Sequence, residues 1–218
     1  MRKVVIQIAG IRTIEDACAA AECGFDIIGL LVGQKHNSDD FITKEQAKEI
    51  KLHLPSGVQT TLITHVENAT QIIDMARFID VDYIQLHSSI LEDEVEKIHK
   101  ALPDKKLIRV IHINNNKILT DVEKFRFADY YLTDSINTST DQVGGTGLVH
   151  DYTVDKKLVA TLKKPVFVAG GLTSENVADV IKTCMPYGVD VNSGCRGING
   201  YRDKNKMEAF VNRVRGIK

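Results

Sequence analysis

Short β-branched runs and amphipathic stretches alternate along this chain from one end to the other. Eight apolar runs read as strands: Val4–Ala9, Ile27–Val32, Gln59–Thr64, Tyr83–Leu86, Leu107–Ile113, Tyr130–Thr133, Val166–Ala169 and Val189–Asn192. Each gives way to a glycine or polar turn, and then to a segment whose apolar residues recur at three-to-four spacing. That spacing predicts helices over Ile14–Cys23, Lys44–His53, Ala69–Phe78, Glu92–Ala101, Asp155–Leu162, Ser174–Thr183 and Lys204–Val214. An eighth helix, the weakest, is expected over Ile118–Lys124 between the fifth and sixth strands.

Strands alternating with helices imply parallel pairing through right-handed crossovers. The fold class is therefore α/β, and the expected architecture is a single (β/α)8 barrel domain over residues 1–218, compact beside the usual ~250 residues. An open doubly wound sheet is the alternative. Against it, no GxGxxG follows the first strand, where the turn is only Ala9-Gly10-Ile11. In a barrel of this kind the chemistry sits at the C-terminal ends of the strands.

Composition narrows the partners. The 218 residues carry a net charge of -1 with no basic block, which argues against nucleic acid or a membrane surface as partner. No apolar stretch approaches the ~20 residues of a membrane span, and Met1-Arg2-Lys3 leads straight into a strand without a signal-peptide core. Cys18, Cys23, Cys184 and Cys195 form no CxxC pair, so no disulfide scaffold is expected; Cys18 and Cys23, on an alanine-rich helix, read as small buried hydrophobes, and a reducing cytoplasm fits.

The strand ends carry the candidate chemistry. The seventh and eighth strands run into "VAGGLTSENV" and "VDVNSGCRGING", glycine turns that lead toward helix starts and suit a phosphate. Tight-turn chemistry and helix capping by Thr173 or Ser174 would use the same residues. The sixth strand ends in Asp134, a candidate for general acid–base work or for capping a turn. A long loop with Gly144-Gly145-Thr146-Gly147 follows, in the manner of a functional lid. His65, His87 and His112 lie at or in the third to fifth strands, and His36 lies in the loop after the second. His65 and His87 with Asp134, or His36 with Asp39 or Asp40, are candidate ligands of a divalent metal, but HxH and HxxxH spacings are missing, so polar contacts to a sugar phosphate are the favoured reading.

"GGTG" followed by "HDY", together with "VAGGLTSENV", "GVDVNSG" and "DYIQLHS", resembles the signature segments of the phosphoribosylanthranilate isomerase family. The similarity runs nearly end to end and is strongest over the last three strands. It implies a (β/α)8 barrel of tryptophan biosynthesis that turns an aminoaldose phosphate into a 1-amino-2-ketose by an Amadori rearrangement. On that resemblance Asp134 is the general acid. Gly170, Gly171, Ser193 and Gly194 would hold the phosphate, with Gly145 and Thr146 nearby. The family's base is a cysteine in a Lys-Ile-Cys-Gly segment; here the segment reads Gln7-Ile8-Ala9-Gly10. The arginine expected after the second strand, which holds the anthranilate carboxylate, falls in "HNSDDFIT", where Asp40 is nearest and would repel that carboxylate.

The expected site is thus Asp134, His65 and His87 in catalysis, a histidine replacing the cysteine as base, with Gln7, His36 and Asp40 on the substrate. No resident metal or cofactor is expected. The expected partner is a small phosphorylated sugar, in a monomer or homodimer. A metal-dependent sugar-phosphate epimerase and a non-catalytic phosphosugar-binding protein are the alternatives.

Overall fold

The computed structural model describes residues 3–35, 39–114, 116–137, 142–143 and 152–217. Eight parallel strands close on themselves: β1 Val5–Ile8, β2 Ile27–Leu31, β3 Gln59–Thr64, β4 Tyr83–Leu86, β5 Lys106–Asn114, β6 Tyr130–Asn137, β7 Val166–Val168 and β8 Gly188–Val191. Each pairs with the next, and β8 pairs back onto β1 with Val5 opposite Gly188 and Ile8 opposite Val191. Among the described residues seven α-helices follow the strands: α1 Ile14–Cys23, α2 Lys44–His53, α3 Ala69–Ile79, α4 Glu92–Ala101, α5 Thr153–Thr161, α6 Val177–Cys184 and α7 Lys204–Arg215. Among the described residues no helix is long and apolar enough to cross a membrane.

Local chemistry explains the boundaries. Thr43 caps α2 in a reciprocal box with Gln46, and Asn68 and Asp203 cap α3 and α7 through their side chains. Gly24 ends α1 in the left-handed conformation at φ 99°, which a residue without Cβ adopts at low cost. At the N-terminal face one device repeats. Asp26, Asp82 and Asp129, each immediately before or one residue ahead of an even-numbered strand, accept the amides of Ile6, Thr60 and Leu107 in the preceding strand. Three odd–even strand pairs are thereby held in register away from the mouth, on the face that serves stability.

Where a helix over Ile118–Lys124 was expected, the chain makes a short antiparallel pairing of Lys117–Ile118 with β5 and one 3-10 turn, Val122–Lys124. The Leu119 amide and the Thr120 hydroxyl bond to the backbone of His112, so this segment is tied to β5. β6 runs four residues beyond the expected end at Thr133, extended by pairing with β5 and with Gln142–Val143. α6 starts at Val177 instead of Ser174, because Asn176 ties back the turn before it: its carbonyl accepts from the Thr173 amide and its amide donates to the Gly171 carbonyl.

The larger apolar core lies between strands and helices, with Phe210, Ile72 and Ile50 among its fully buried members. A second cluster fills the barrel interior, where Tyr83, Tyr130, Phe167 and Tyr187 meet with ring centroids 5.1–5.8 Å apart. This aromatic plug is a solid floor. Above it the inward positions turn polar: Gln7, Thr61, Gln85, Asp134 and Asp190 are all buried.

Candidate active site

Strand register sets the level of each group. Thr133 lies opposite Val168, and Val168 opposite Val189, so Asp134, Ala169 and Asp190 stand side by side on β6, the end of β7 and β8. Alternation turns all three inward. A methyl group between two carboxylate-bearing strands leaves room, and the strands that carry the acids are about 10 Å apart.

A hydrogen-bonded chain crosses the barrel as far as His87, whose Nε2 approaches one of these acids. The Thr61 hydroxyl donates to Gln7 Oε1 at 3.1 Å, and Gln7 Nε2 donates to Gln85 Oε1 at 2.9 Å. Gln85 Nε2 donates in turn to His87 Nδ1 at 3.2 Å, and His87 Nε2 lies 3.3 Å from Asp134 Oδ2. An amide nitrogen only donates, so Nδ1 of His87 is an acceptor and Nε2 carries the hydrogen toward Asp134. His65 and His112 flank His87, with ring centroids 5.2 and 5.5 Å from it, and Gln34 bonds His65 Nδ1. Burial, then the charge of His87, pushes His112 down to about 4 and keeps it neutral. A cavity of about 760 Å³ opens beside the three histidines and extends to Ser88, Arg109 and Phe125.

Asp190 is 8% exposed and is pushed up to about 7, chiefly by burial and then by the negative charge of Asp134. Gln7 hydrogen-bonds to it, and its Oδ1 has no hydrogen-bond partner among the described residues. Asp190 lies within β8, one residue before its end, and is not among the residues expected at the site. Its signal was a carboxylate inside an otherwise apolar run, "GVDV".

Asp40 does not stand as a bare negative charge. It is buried, ion-paired to Arg196, 3.6 Å from Arg202, and it accepts from Asn192 at 3.1 Å. Two guanidinium groups around one carboxylate leave the corner positive, so the repulsion expected of Asp40 is offset. Arg202 also donates to the carbonyls of Ala9 and Gly10, both at 2.8 Å, and of Asn192 at 3.2 Å. Gly10, at φ 72°, must be glycine here: a Cβ would stand 2.1 Å from the Arg202 guanidinium.

The glycine turns lie beside each other across β7 and β8. Gly170 and Gly171 both have positive φ, at 88° and 67°, and Tyr152 donates to the Gly170 carbonyl at 2.8 Å. Ser193 and Gly194 open a 3-10 turn, Ser193–Cys195, whose first amides have no partner within the turn. A Cβ on Gly194 would meet the Leu172 carbonyl oxygen at 2.0 Å, so the two turns are packed backbone to backbone. His36, Gly145 and Thr146 lie outside the described residues. Among the described residues no group of three or more His, Cys, Asp or Glu side chains is arranged to hold a metal ion.

A closed parallel barrel with acids, histidines and glycine turns at its C-terminal mouth is the architecture of a small-molecule enzyme. Comparison with known proteins gives the family. The family model for N-(5'-phosphoribosyl)anthranilate (PRA) isomerase matches residues 6–213. N-(5'-phosphoribosyl)anthranilate isomerase 2 of Methanosarcina mazei is 39% identical over 211 residues, covering 96% of this chain and 93% of that protein. The crystal structure of phosphoribosyl anthranilate isomerase from Thermotoga maritima superposes with a TM-score of 0.85 at 26% identity, over 98% of this chain and 99% of that one. A phosphoribosyl anthranilate isomerase in complex with reduced 1-(o-carboxyphenylamino)-1-deoxyribulose 5-phosphate shares the fold, with a TM-score of 0.82 at 24% identity over 98% and 99% of the two chains. The chain belongs to the N-(5'-phosphoribosyl)anthranilate isomerase family, a family of intramolecular isomerases.

Proposed function

We propose that this chain catalyses the Amadori rearrangement of a phosphorylated N-substituted aminoaldose of the phosphoribosylanthranilate type. The observation that carries the reading is Asp134. It sits at the barrel mouth, 7% exposed, with the His87 imidazole turned onto one oxygen and the glycine turns of β7 and β8 beside it. A carboxyl group so placed is suited to protonating a sugar ring oxygen. His87 orients it, and the chain through Gln85, Gln7 and Thr61 fixes the tautomer of His87.

The phosphate rests on the amides of Gly170, Gly171, Ser193 and Gly194, where glycine admits the close approach of an anion to the backbone. Adjoining the Ser193 turn on the side of β1, the positive charge left over from Asp40, Arg196 and Arg202 favours a substrate carboxylate. Arg196 is the accessible member, its side chain 30% exposed against 1% for Arg202. His36, Gly145 and Thr146 are assigned to the substrate, and His65 to the rim beside His87.

The test is to mix the purified protein with freshly prepared phosphoribosylanthranilate and follow the loss of its fluorescence. Turnover that Asp134→Asn abolishes is the expected result; no turnover by the wild type rejects the reading. Ala9, a methyl group where the family resemblance calls for a cysteine, favours one second reading, a protein that binds such a phosphosugar without converting it. Tight binding of the product analogue without turnover is its mark.

A further inference from the structure

The reaction needs a group to take the C2 proton, and Ala9 cannot. Two of the histidines at the mouth, His87 and His112, are poorly placed for it. His87 has Nδ1 occupied by Gln85 and Nε2 turned to Asp134, and His112 is too weakly basic, held near 4. We propose that Asp190 is the general base of this chain, doing from β8 the work that a cysteine at position 9 would do from β1. The inference rests on the functional reading above.

Three observations place it. Asp190 shares a level with Asp134 across the small Ala169, so two carboxyl groups face the same space from β6 and β8. It lies directly opposite Gln7, two residues before Ala9, and the Ala9 amide bonds the carbonyl of Val191 at 2.9 Å. Its Oδ1 is buried and has no hydrogen-bond partner among the described residues, whereas Thr61, Gln7 and Gln85 are tied to one another and to His87. The groups facing it are Asp134 from β6, Gln7 from β1 and, from the loop before α7, Arg202; β7 contributes the apolar Ala169. A carboxyl group poised near neutrality is a competent base at physiological pH.

The proton inventory closes without a redox partner. Asp134 gives its proton to the ring oxygen as the C1–O bond breaks, leaving a C1=N⁺ iminium. Asp190 takes the C2 proton; the C2–H electron pair becomes the C1=C2 bond, and the C=N⁺ π pair returns to nitrogen. The enolamine then ketonises. Its O2 proton goes to Asp134, and Asp190 delivers a proton to C1, so both acids end as they began.

The experiment compares wild type, Asp190→Asn, Asp134→Asn and the double variant Ala9→Cys/Asp190→Asn. It measures kcat, KM and pH profiles with phosphoribosylanthranilate, and affinity for reduced 1-(o-carboxyphenylamino)-1-deoxyribulose 5-phosphate. Asp190→Asn should lower kcat by ~10²-fold or more while analogue affinity stays within about threefold. The acid limb of the wild-type kcat/KM profile should fall near pH 7 and be absent from what remains. Ala9→Cys should restore at least tenfold in the double variant, which also shows that the fold tolerates the Asn. If the wild type is active and Asp190→Asn stays within about fivefold of it, the proposal is overturned and the functional reading stands. If the wild type binds the analogue but converts no substrate, the functional reading falls and takes the proposal with it.

Discussion

His87 and Asp134 meet across β4 and β6, with Nε2 of the imidazole 3.3 Å from Oδ2 of the carboxylate, both side chains nearly buried. β5 lies between their strands, so each reaches over a neighbour to make the contact. The Gln85 amide on Nδ1 decides which way the proton on that ring points. His87→Gln should therefore lower kcat by about 10- to 100-fold with little change in KM, because the acid is disoriented and no substrate contact is removed. Gln85→Leu, two bonds back along the chain, should lower kcat in the same direction by less. Equal losses in KM alone would reject the orienting role.

Asp40→Ala leaves two guanidinium groups facing each other, one of them almost fully buried. Removing one partner of a buried pair costs about 3–5 kcal/mol, since the remaining charge is uncompensated. Urea denaturation at neutral pH should read that loss, and a change under 1 kcal/mol would show that Arg202 is held by its carbonyl contacts alone.

Gly194→Ala places a methyl group into the Leu172 carbonyl. The β7 and β8 turns must then separate. Inorganic phosphate should lose its protection of the thermal midpoint, and KM for the phosphosugar should rise about tenfold or more. Unchanged phosphate binding would place the anion elsewhere.

Stability should depend on pH through Asp190 and His112 in opposite senses. Asp190 in the folded protein titrates near 7, well above an ordinary carboxylate near 3.9, so between about pH 4 and 7 the unfolded chain releases a proton that the folded protein keeps. Stability from this group is highest below that window, declines across it and is flat above pH 7. His112 runs the other way: depressed to about 4, it contributes stability above pH 6.5 that is lost as the pH falls toward 4. Asp190→Asn should accordingly gain about 2–4 kcal/mol on wild type between pH 4 and pH 8, as read from denaturant midpoints at the two values. A constant difference would mean that Asp190 titrates normally.

Much of this arrangement was legible in the chain, and the parts that were not have physical causes. Helices α1, α2 and α4 begin and end where their periodicity predicts; at α1 and α2 the Thr13 and Thr43 side chains cap the first turn within a few residues. β6 overran its expected end because its last residues are held by pairing to β5, a long-range effect that local composition does not carry. The sign of Asp40 was readable, but its meaning was not, since the Arg196 that neutralises it lies 156 residues on. Asp190 was hidden for another reason. Attention to strand ends overlooks a charge within a strand, although a carboxylate among valines in a strand buried on both faces has to be paired, protonated or functional.

One side chain bridges the first strand and the last. Arg202 grips the carbonyls that end β1 and the backbone that follows β8, and it reaches them from a segment just ahead of α7. Arg202 follows Ala9 by 193 residues, so a ribosome delivers it only after all eight strands. The rim at Ala9 and Gly10 waits until then for the clasp that sets its shape. A nascent chain released between Val191 and Arg202 carries all eight strands and no clasp to set the mouth they form.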